Sequence, residues 1–354
     1  MIRSISLGII ISAVFISNAN AQPCPRLSNG VRINATGDIL VHKALFEYAL
    51  SHPSRFRSLW NEVTPVLRNA DLTYGNLEGP TAPGVAIGGR ETRDPGPVYD
   101  SHVYSGTNFV FNFHPSLIDD LRSSGFGLVS TANNHSLDRG PLGVDRSIQE
   151  LRRRGLPFVG WRSRNSQEPR SIILNVKGQR LGAIACTETT NGMRDPHGQI
   201  LMCKSAEVVE EISRLKSKTD LVIVLPHWGS EYKGTPHGGQ RALARRWVQA
   251  GAQVIIGNHP HVLQTVEWLQ SPDGEKAIVI YSLGNFVAWQ GGLEKKTSAI
   301  THLDFVPSAS GLKLEQFSYT PVTRRSGAAG LSIASGTSAE GQHVRRQLGP
   351  VRCR

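Results

Sequence analysis

Between residues 31 and 282 the sequence returns repeatedly to one pattern: a short apolar run of strand length, a polar turn, and often a stretch with helical spacing. The runs cover 31–35, 71–74, 127–131, 180–187, 221–225, 254–256 and 277–282. Among them, 143–154 places Val144, Ile148 and Leu151 on one helical face, and 116–122, 206–216 and 241–250 carry similar patterns. Strand alternating with helix argues for an α/β fold, in which ligands bind beyond the carboxyl ends of the strands.

Those strand ends carry the chemistry. Gly37-Asp38 with His42 follows the first run, Asn76-Leu77-Glu78 the second and Asn133-Asn134-His135 the third. His227-Trp228-Gly229-Ser230-Glu231 follows the fifth, Asn258-His259-Pro260-His261 the sixth, and Leu283-Gly284-Asn285 the seventh. Imidazole with carboxylate and no thiolate suits Mn, Fe or Zn, and two ions sharing a carboxylate, about 3.5–4 Å apart, could activate a bridging hydroxide. Each residue also has a plainer reading. Asp38 fits a turn or helix cap, Glu78 a solvated loop acid, Asn76 and Asn134 turn positions, and His259 with His261 a surface or hydrogen-bonding pair. His227 closes a run that reads as a buried strand, which favours a functional role, whereas His42 equally suits a helix surface. The recurrence at five strand ends is what favours a site.

Length leaves the domain count open for 354 residues. Candidate ligands spread from Asp38 to His261 must nevertheless converge, which calls for one α/β unit. Charged residues make up 19% and hydrophobic ones 39%, which excludes a disordered, collagen-like or coiled-coil chain. The net charge of +11 suits an anionic partner. Its basic pairs, Arg245-Arg246, Lys295-Lys296, Arg324-Arg325 and Arg345-Arg346, also fit ordinary solvated faces. No nucleic-acid-binding motif accompanies the charge, so no nucleic-acid partner is expected.

Arg3, the apolar run 5–17 and Ala19-Asn20-Ala21 before Gln22 predict a signal peptide cleaved after Ala21, with no stable membrane span thereafter and a periplasmic or secreted product. In an oxidising compartment Cys24, Cys186, Cys203 and Cys353 allow three pairings. The preferred one joins Cys186 to Cys203 and Cys24 to Cys353. The segment 79–114, rich in Gly, Pro and polar residues, reads as an insertion or a loop over the site, and 324–354 as a loosely ordered basic tail. The expected organisation is therefore a signal at 1–21, a short segment at 22–30, a domain at 31–323 and the tail.

Taken in order, Ala35-Thr36-Gly37-Asp38, Asn76-Leu77-Glu78-Gly79-Pro80, Thr131-Ala132-Asn133-Asn134-His135 with Asp138, His227-Trp228-Gly229 with Glu231, Gly257-Asn258-His259-Pro260-His261 and Ser282-Leu283-Gly284-Asn285-Phe286 resemble the CapA proteins of poly-gamma-glutamate capsule synthesis. The resemblance spans roughly 31–306. It implies a single-domain, four-layer αββα sandwich like the calcineurin-type metallophosphoesterases, with two divalent ions. Asp38 and His261, with His42, would hold the first ion, Asn134, His227 and His259 the second, and Glu78 both. His135 would protonate a leaving group, with Asn76, Asn133, Asp138, Glu231 and Asn285 supporting ligands or substrate. Two departures stand out: Leu40 occupies the position of that pattern's first histidine, and Glu78 that of its bridging Asp. The expected function is hydrolysis or handling of an anionic polymer or phosphoester alongside other capsule-synthesis proteins. The alternative is a non-catalytic protein that binds and guides the polymer.

Overall fold

The computed structural model describes residues 23–107, 109–325 and 329–354, so the expected signal segment lies outside the described residues. The first half runs β1 (Val31–Ile39), α1 (Lys43–Ser51), two 3-10 turns, α2 (Thr64–Arg68), β2 (Leu72–Leu77), a small hairpin of β3 (Ser105–Thr107) and β4 (Val110–Asn112), α3 (Ser116–Ser123), β5 (Phe126–Ser130), α4 (Gly140–Arg154) and β6 (Phe158–Val159). The second runs β7 (Ser171–Val176), β8 (Gln179–Thr187), α5 (Ala206–Lys216), β9 (Leu221–His227), α6 (Gly238–Gln249), β10 (Val254–Ile256), β11 (Val266–Gln270) and β12 (Lys276–Ile280). The chain then returns through β13 (Asn285–Val287), α7 (Leu293–Lys296), β14 (Thr297–Ser308), β15 (Gly311–Arg324), β16 (Leu331–Ile333) and α8 (Ala339–Leu348). All seven expected strands and all four expected helices are present, with ends shifted by a few residues.

Two sheets result. One has the order β16-β15-β14-β1-β2-β5-β6 with β13 also on β1, and the other β11-β12-β10-β9-β8-β7. In the first, β1, β2, β5 and β6 are parallel; in the second, β8, β9, β10 and β12 are. Their carboxyl ends therefore gather on one side of the molecule.

Strand alternation explains the layering. Leu221, Ile223 and Leu225 of β9 join Ile33, Ala35 and Leu303 of the first sheet in the central core, with α1, α3 and α4 in the same cluster. Val222 and Val224 face the other way and pack with Val208, Ile212 and Leu215 of α5 and Trp247 of α6. Helices, sheet, sheet and helices make the four-layer αββα sandwich, and each fully buried aliphatic side chain contributes about 1.5–3 kcal/mol.

The long antiparallel pair β14 and β15 is hard to read in the sequence because both faces are buried: Leu303, Phe305 and Phe317 enter the core, while the other face buries polar residues. Arg32 of β1 makes a two-pronged contact with Asp304 of β14, at 2.8 Å on each arm. His302 lies 2.7 Å from Asn34 Oδ1 and 2.9 Å from Thr320 Oγ1. Complementary partners take the place of apolar contacts on that face. The tail is corrected as well. Rather than being loosely ordered, its described residues form β16 and α8, with Val344 and Leu348 buried. The disulfide Cys24–Cys353 fastens its end, and Cys186–Cys203 is the second bridge, so the preferred pairing holds. Among the described residues no helix is long and apolar enough to cross a membrane.

Candidate metal centre

The strand ends deliver their polar residues to one buried place. Asp38 sits near the end of β1, Asn76 near the end of β2, Glu78 just beyond it, His227 at the end of β9, and His259 and His261 in the turn after β10. Close backbone approach makes this possible. A Cβ on Gly37 would lie 1.9 Å from Gly284 O, so only glycine lets Asp38 N–H donate to that carbonyl at 2.8 Å. In the turn after β10, His259 (φ 101°) and His261 (φ 57°) both adopt left-handed backbone. Strain of this kind costs on the order of 1–3 kcal/mol per residue and persists where the surroundings impose it.

Two groups of ligand-type atoms form, each within 4.8 Å internally: Asp38, Glu78 and His261, and Glu78, His227 and His259. Glu78 belongs to both. His261 Nδ1 lies 3.2 Å from Asp38 Oδ2 and its Nε2 3.8 Å from Glu78 Oε1. His227 Nε2 lies 3.4 Å from Glu78 Oε1, 3.1 Å from His259 Nδ1 and 2.8 Å from Asn134 Oδ1, so Asn134 joins the second group. Both Glu78 carboxylate oxygens are buried without a hydrogen-bond partner. Burial first, and then the neighbouring Asp38 carboxylate, hold the Glu78 carboxyl well above the usual carboxylate range. Burial, then His259, pushes His227 well below the usual imidazole range, and burial lowers His259 to about 4. Neutral imidazoles therefore face a carboxylate that lacks a counter-charge. All four cysteines are in disulfides, leaving N and O donors, a set suited to Mn, Fe or Zn.

A supporting layer fixes these groups. Asn76 Nδ2 donates to Asp38 Oδ1 at 2.8 Å and lies 3.2 Å from His227 Nδ1, while Ser130 Oγ donates to Asn76 Oδ1. Asn285 Oδ1 sits 3.0 Å from His261 Nδ1. Asn133 Nδ2 donates to Leu77 O and Thr131 O, and its Oδ1 accepts from His135 N–H, locking the loop after β5. Asp138 Oδ2 lies 2.9 Å from His135 Nδ1 and accepts from Phe111 N–H at 2.7 Å. Glu231 shares a cavity of about 390 Å³ with Asn134, His135, Asp138, Ile87, Phe109 and Met193.

His42 falls outside both groups. The β1 ladder continues through Leu40, whose N–H donates to Val287 O at 2.7 Å, and Leu40 is buried. His42 then caps α1, with Nδ1 3.0 Å from Leu40 O and 3.2 Å from Trp289 N.

Several contributors went unread in the sequence. Tyr74 OH lies 2.8 Å from Ser130 Oγ and accepts from Asn258 Nδ2 at 2.9 Å, tying β2 to the turn after β10. Its place two residues before Asn76, on the same strand face, was the available signal. Arg139 is buried, and its guanidinium donates to Val85 O, Phe111 O, Asp138 O, Val103 O and Ser105 Oγ. It fastens 79–114 beside His135, where Phe111 meets the His135 ring edge-on at 4.7 Å. The expected loop over the site is thus a clamped cover on the His135 side.

Comparison with known proteins gives consistent results. A family model described as "Bacterial capsule synthesis protein PGA_cap" matches residues 32–290. The capsule biosynthesis protein CapA of Bacillus anthracis is 28% identical over 338 residues, covering 89% of this chain and 75% of that protein. The PGA biosynthesis protein CapA of Bacillus subtilis (strain 168) is 28% identical over 270 residues, covering 75% of this chain and 64% of that one, so the chain spans less than two thirds of its length. Among solved structures, the calcineurin-like phosphoesterase YfkN of Bacillus subtilis aligns with TM-score 0.47 at 15% identity, over 90% of this chain and 95% of that one.

Proposed function

The chain belongs to the bacterial capsule synthesis protein family PGA_cap, and from that premise we propose that it is an exported, metal-dependent hydrolase of phosphoesterase type. It would act on or handle an anionic polymer, poly-gamma-glutamate, or a phosphoester linked to it, together with other capsule-synthesis proteins. The observation that carries this reading is Glu78: a buried carboxylate with both oxygens unpartnered, common to two groups of imidazoles and carboxylates. A buried charge of that kind calls for a cation.

Asp38, Glu78 and His261 would hold one divalent ion, and Glu78, Asn134, His227 and His259 the other. Bound ions would polarise the reacting phosphoryl or carbonyl group and offset its developing charge. The chain's own residues supply the rest. Asp138 orients His135 through Nδ1, which leaves Nε2 to pass a proton to the departing group in the adjoining cavity. Asn285 Oδ1 holds His261 through Nδ1, as acceptor partners of ligating histidines generally do, and Asn76 holds the Asp38 carboxylate. Two disulfides support an oxidising compartment, periplasmic or extracellular.

One observation favours a second reading, a non-catalytic polymer binder. With Leu40 buried in the core and His42 turned to the α1 cap, the Asp38 group keeps a single imidazole, which suits grip more than turnover. The test is metal analysis of the purified protein, with turnover assays in Mn, Fe and Zn on a generic phosphodiester and on poly-gamma-glutamate. His259→Ala and His135→Ala are run beside it. Metal loss in the first variant and activity loss in both supports the hydrolase. A parent that binds polymer without turnover, unaffected by either change, supports the second reading. A parent that takes up no metal overturns the site.

A further inference from the structure

The metal centre has two unlike lips. Five of the ten exposed large hydrophobics among the described residues border it: Ile87, Phe109 and Met193 on the His135 side, and Tyr232 and Trp289 on the His261 and His42 side. The first lip also carries the carboxylate of Asp138, while Glu231 lines the same cavity and reaches the Tyr232 hydroxyl as well. The second carries cations on its ring faces. Lys295 Nζ lies 4.9 Å from the centre of the Tyr232 ring, and the Arg324 guanidinium carbon lies 4.2 Å from that of Trp289.

This second lip is built into the centre. The Tyr232 ring is 6.0 Å from the His261 ring. Asn285, which holds His261 Nδ1, also donates to Lys295 O at 2.8 Å and to Gln290 Oε1 at 3.1 Å. Gln290 O in turn accepts from Arg324 Nη2 at 3.0 Å. Neighbouring cations are already neutralised: Lys296 pairs with Glu340, and Arg325 with Glu62. Lys295 has no carboxylate within 4.0 Å among the described residues. Its ammonium rests on an aromatic face with hydrogen-bonding capacity to spare.

We propose that Lys295 and Arg324, stacked on Tyr232 and Trp289, form a subsite for carboxylates of an anionic peptide polymer immediately flanking the metal centre. The inference rests on the polymer reading above and adds a direction to it. The anionic run lies over the 232–295 lip, where the two cations stand, because Asp138 on the opposite lip repels it, and the departing portion lies in the His135 cavity. Both pairs come from sequence segments that otherwise read as solvated faces. Antiparallel pairing of Thr297 with Thr323 brings them together.

The test measures binding of a γ-linked glutamate decamer to the metal-loaded protein by calorimetry, beside a γ-linked glutamine decamer and inorganic polyphosphate. The variant K295M/R324M is compared with R245M/R246M, which removes the same charge from exposed positions of α6. Expected is a loss of about tenfold or more for the first, given that tenfold is worth 1.4 kcal/mol, against less than twofold for the second. The gap should narrow at high salt, where the Debye length falls to about 3 Å near 1 M. Tyr232→Leu weakens binding, whereas Lys295→Arg, which keeps the cation, retains it. Equal losses in both double variants, or none in K295M/R324M while the parent binds, overturn the subsite and leave the polymer reading standing. Cation-dependent binding of polyphosphate alone overturns the carboxylate assignment. No binding of any polymer by the parent overturns both.

Discussion

Replacing Glu78 by Gln separates what the residue costs the metal-free protein from what it contributes when ions bind. In the metal-free protein both carboxylate oxygens are buried and unpartnered. Gln keeps the shape, removes the buried charge beside Asp38 and offers that carboxylate an N–H donor, and a hydrogen bond to a charged group is worth about 1.5–3 kcal/mol, so the change should stabilise this form by about 2 kcal/mol. Unfolding entropy is about 2.1 cal/mol/K per residue, which for 354 residues gives roughly 1.4 °C per kcal/mol. E78Q should therefore melt about 3 °C above the parent after chelation.

The sign of the pH dependence follows from the raised carboxyl pKa. The parent keeps the stability of its protonated Glu78 below the unfolded value of 4.5 and loses it as pH rises from there through the raised folded value. Gln does not titrate, so the gap between E78Q and the parent should widen with pH above about 4.5. Added Zn or Mn reverses the ranking. At 100 times Kd an ion stabilises the parent by about 2.7 kcal/mol per site, whereas E78Q has lost the ligand common to both groups. Scanning fluorimetry with chelator and with metal, at several pH values, measures all three effects. Either a chelated E78Q that melts below the chelated parent, or an undiminished metal-induced shift in E78Q, refutes the reasoning.

Three further changes test the surrounding construction. Arg139→Met leaves several carbonyls of 79–114 without their donor, and it should cost about 3–5 kcal/mol and open that segment to proteolysis, read by thermal melting and limited digestion. Gly37→Ala forces a Cβ to within 1.9 Å of Gly284 O and should cost about 3 kcal/mol while lowering metal uptake, measured by melting and metal analysis. His302 is lowered to about 3 by burial, so its neutral form supports the fold above the unfolded value of 6.5, and that support is lost as pH falls toward 3. His302→Gln should flatten the acid limb of stability against pH by up to about 1.4 kcal/mol per pH unit relative to the parent.

What the sequence disclosed, and what it hid, follows from how local each feature is. A strand end is local: an apolar run stops and a ligand-type residue follows, so Asp38, Glu78, Asn134, His227, His259 and His261 could all be named from their neighbours. His42 is different, lying outside both groups. Its distance from Asp38 could not show that the ladder runs on through Leu40 to Val287 O, which commits the next residues to the start of α1. Features made by distant pairing left little trace. Arg139 serves carbonyls at 85, 103 and 111, and its sequence neighbourhood records none of them. The β14 and β15 strands bury Asp304, His302 and Thr320 against complementary partners on one face while Leu303, Phe305 and Phe317 enter the core on the other, so the polar face reads as solvent-facing from its neighbours alone. The basic pairs belong to the same class. As isolated pairs they are indistinguishable from solvated faces, and the pairing of β14 with β15 near the candidate metal centre gives Lys295 and Arg324 their shared setting. A net charge of +11 could suggest an anionic partner, but only the register of two strands places part of that charge beside the residues that would act on one.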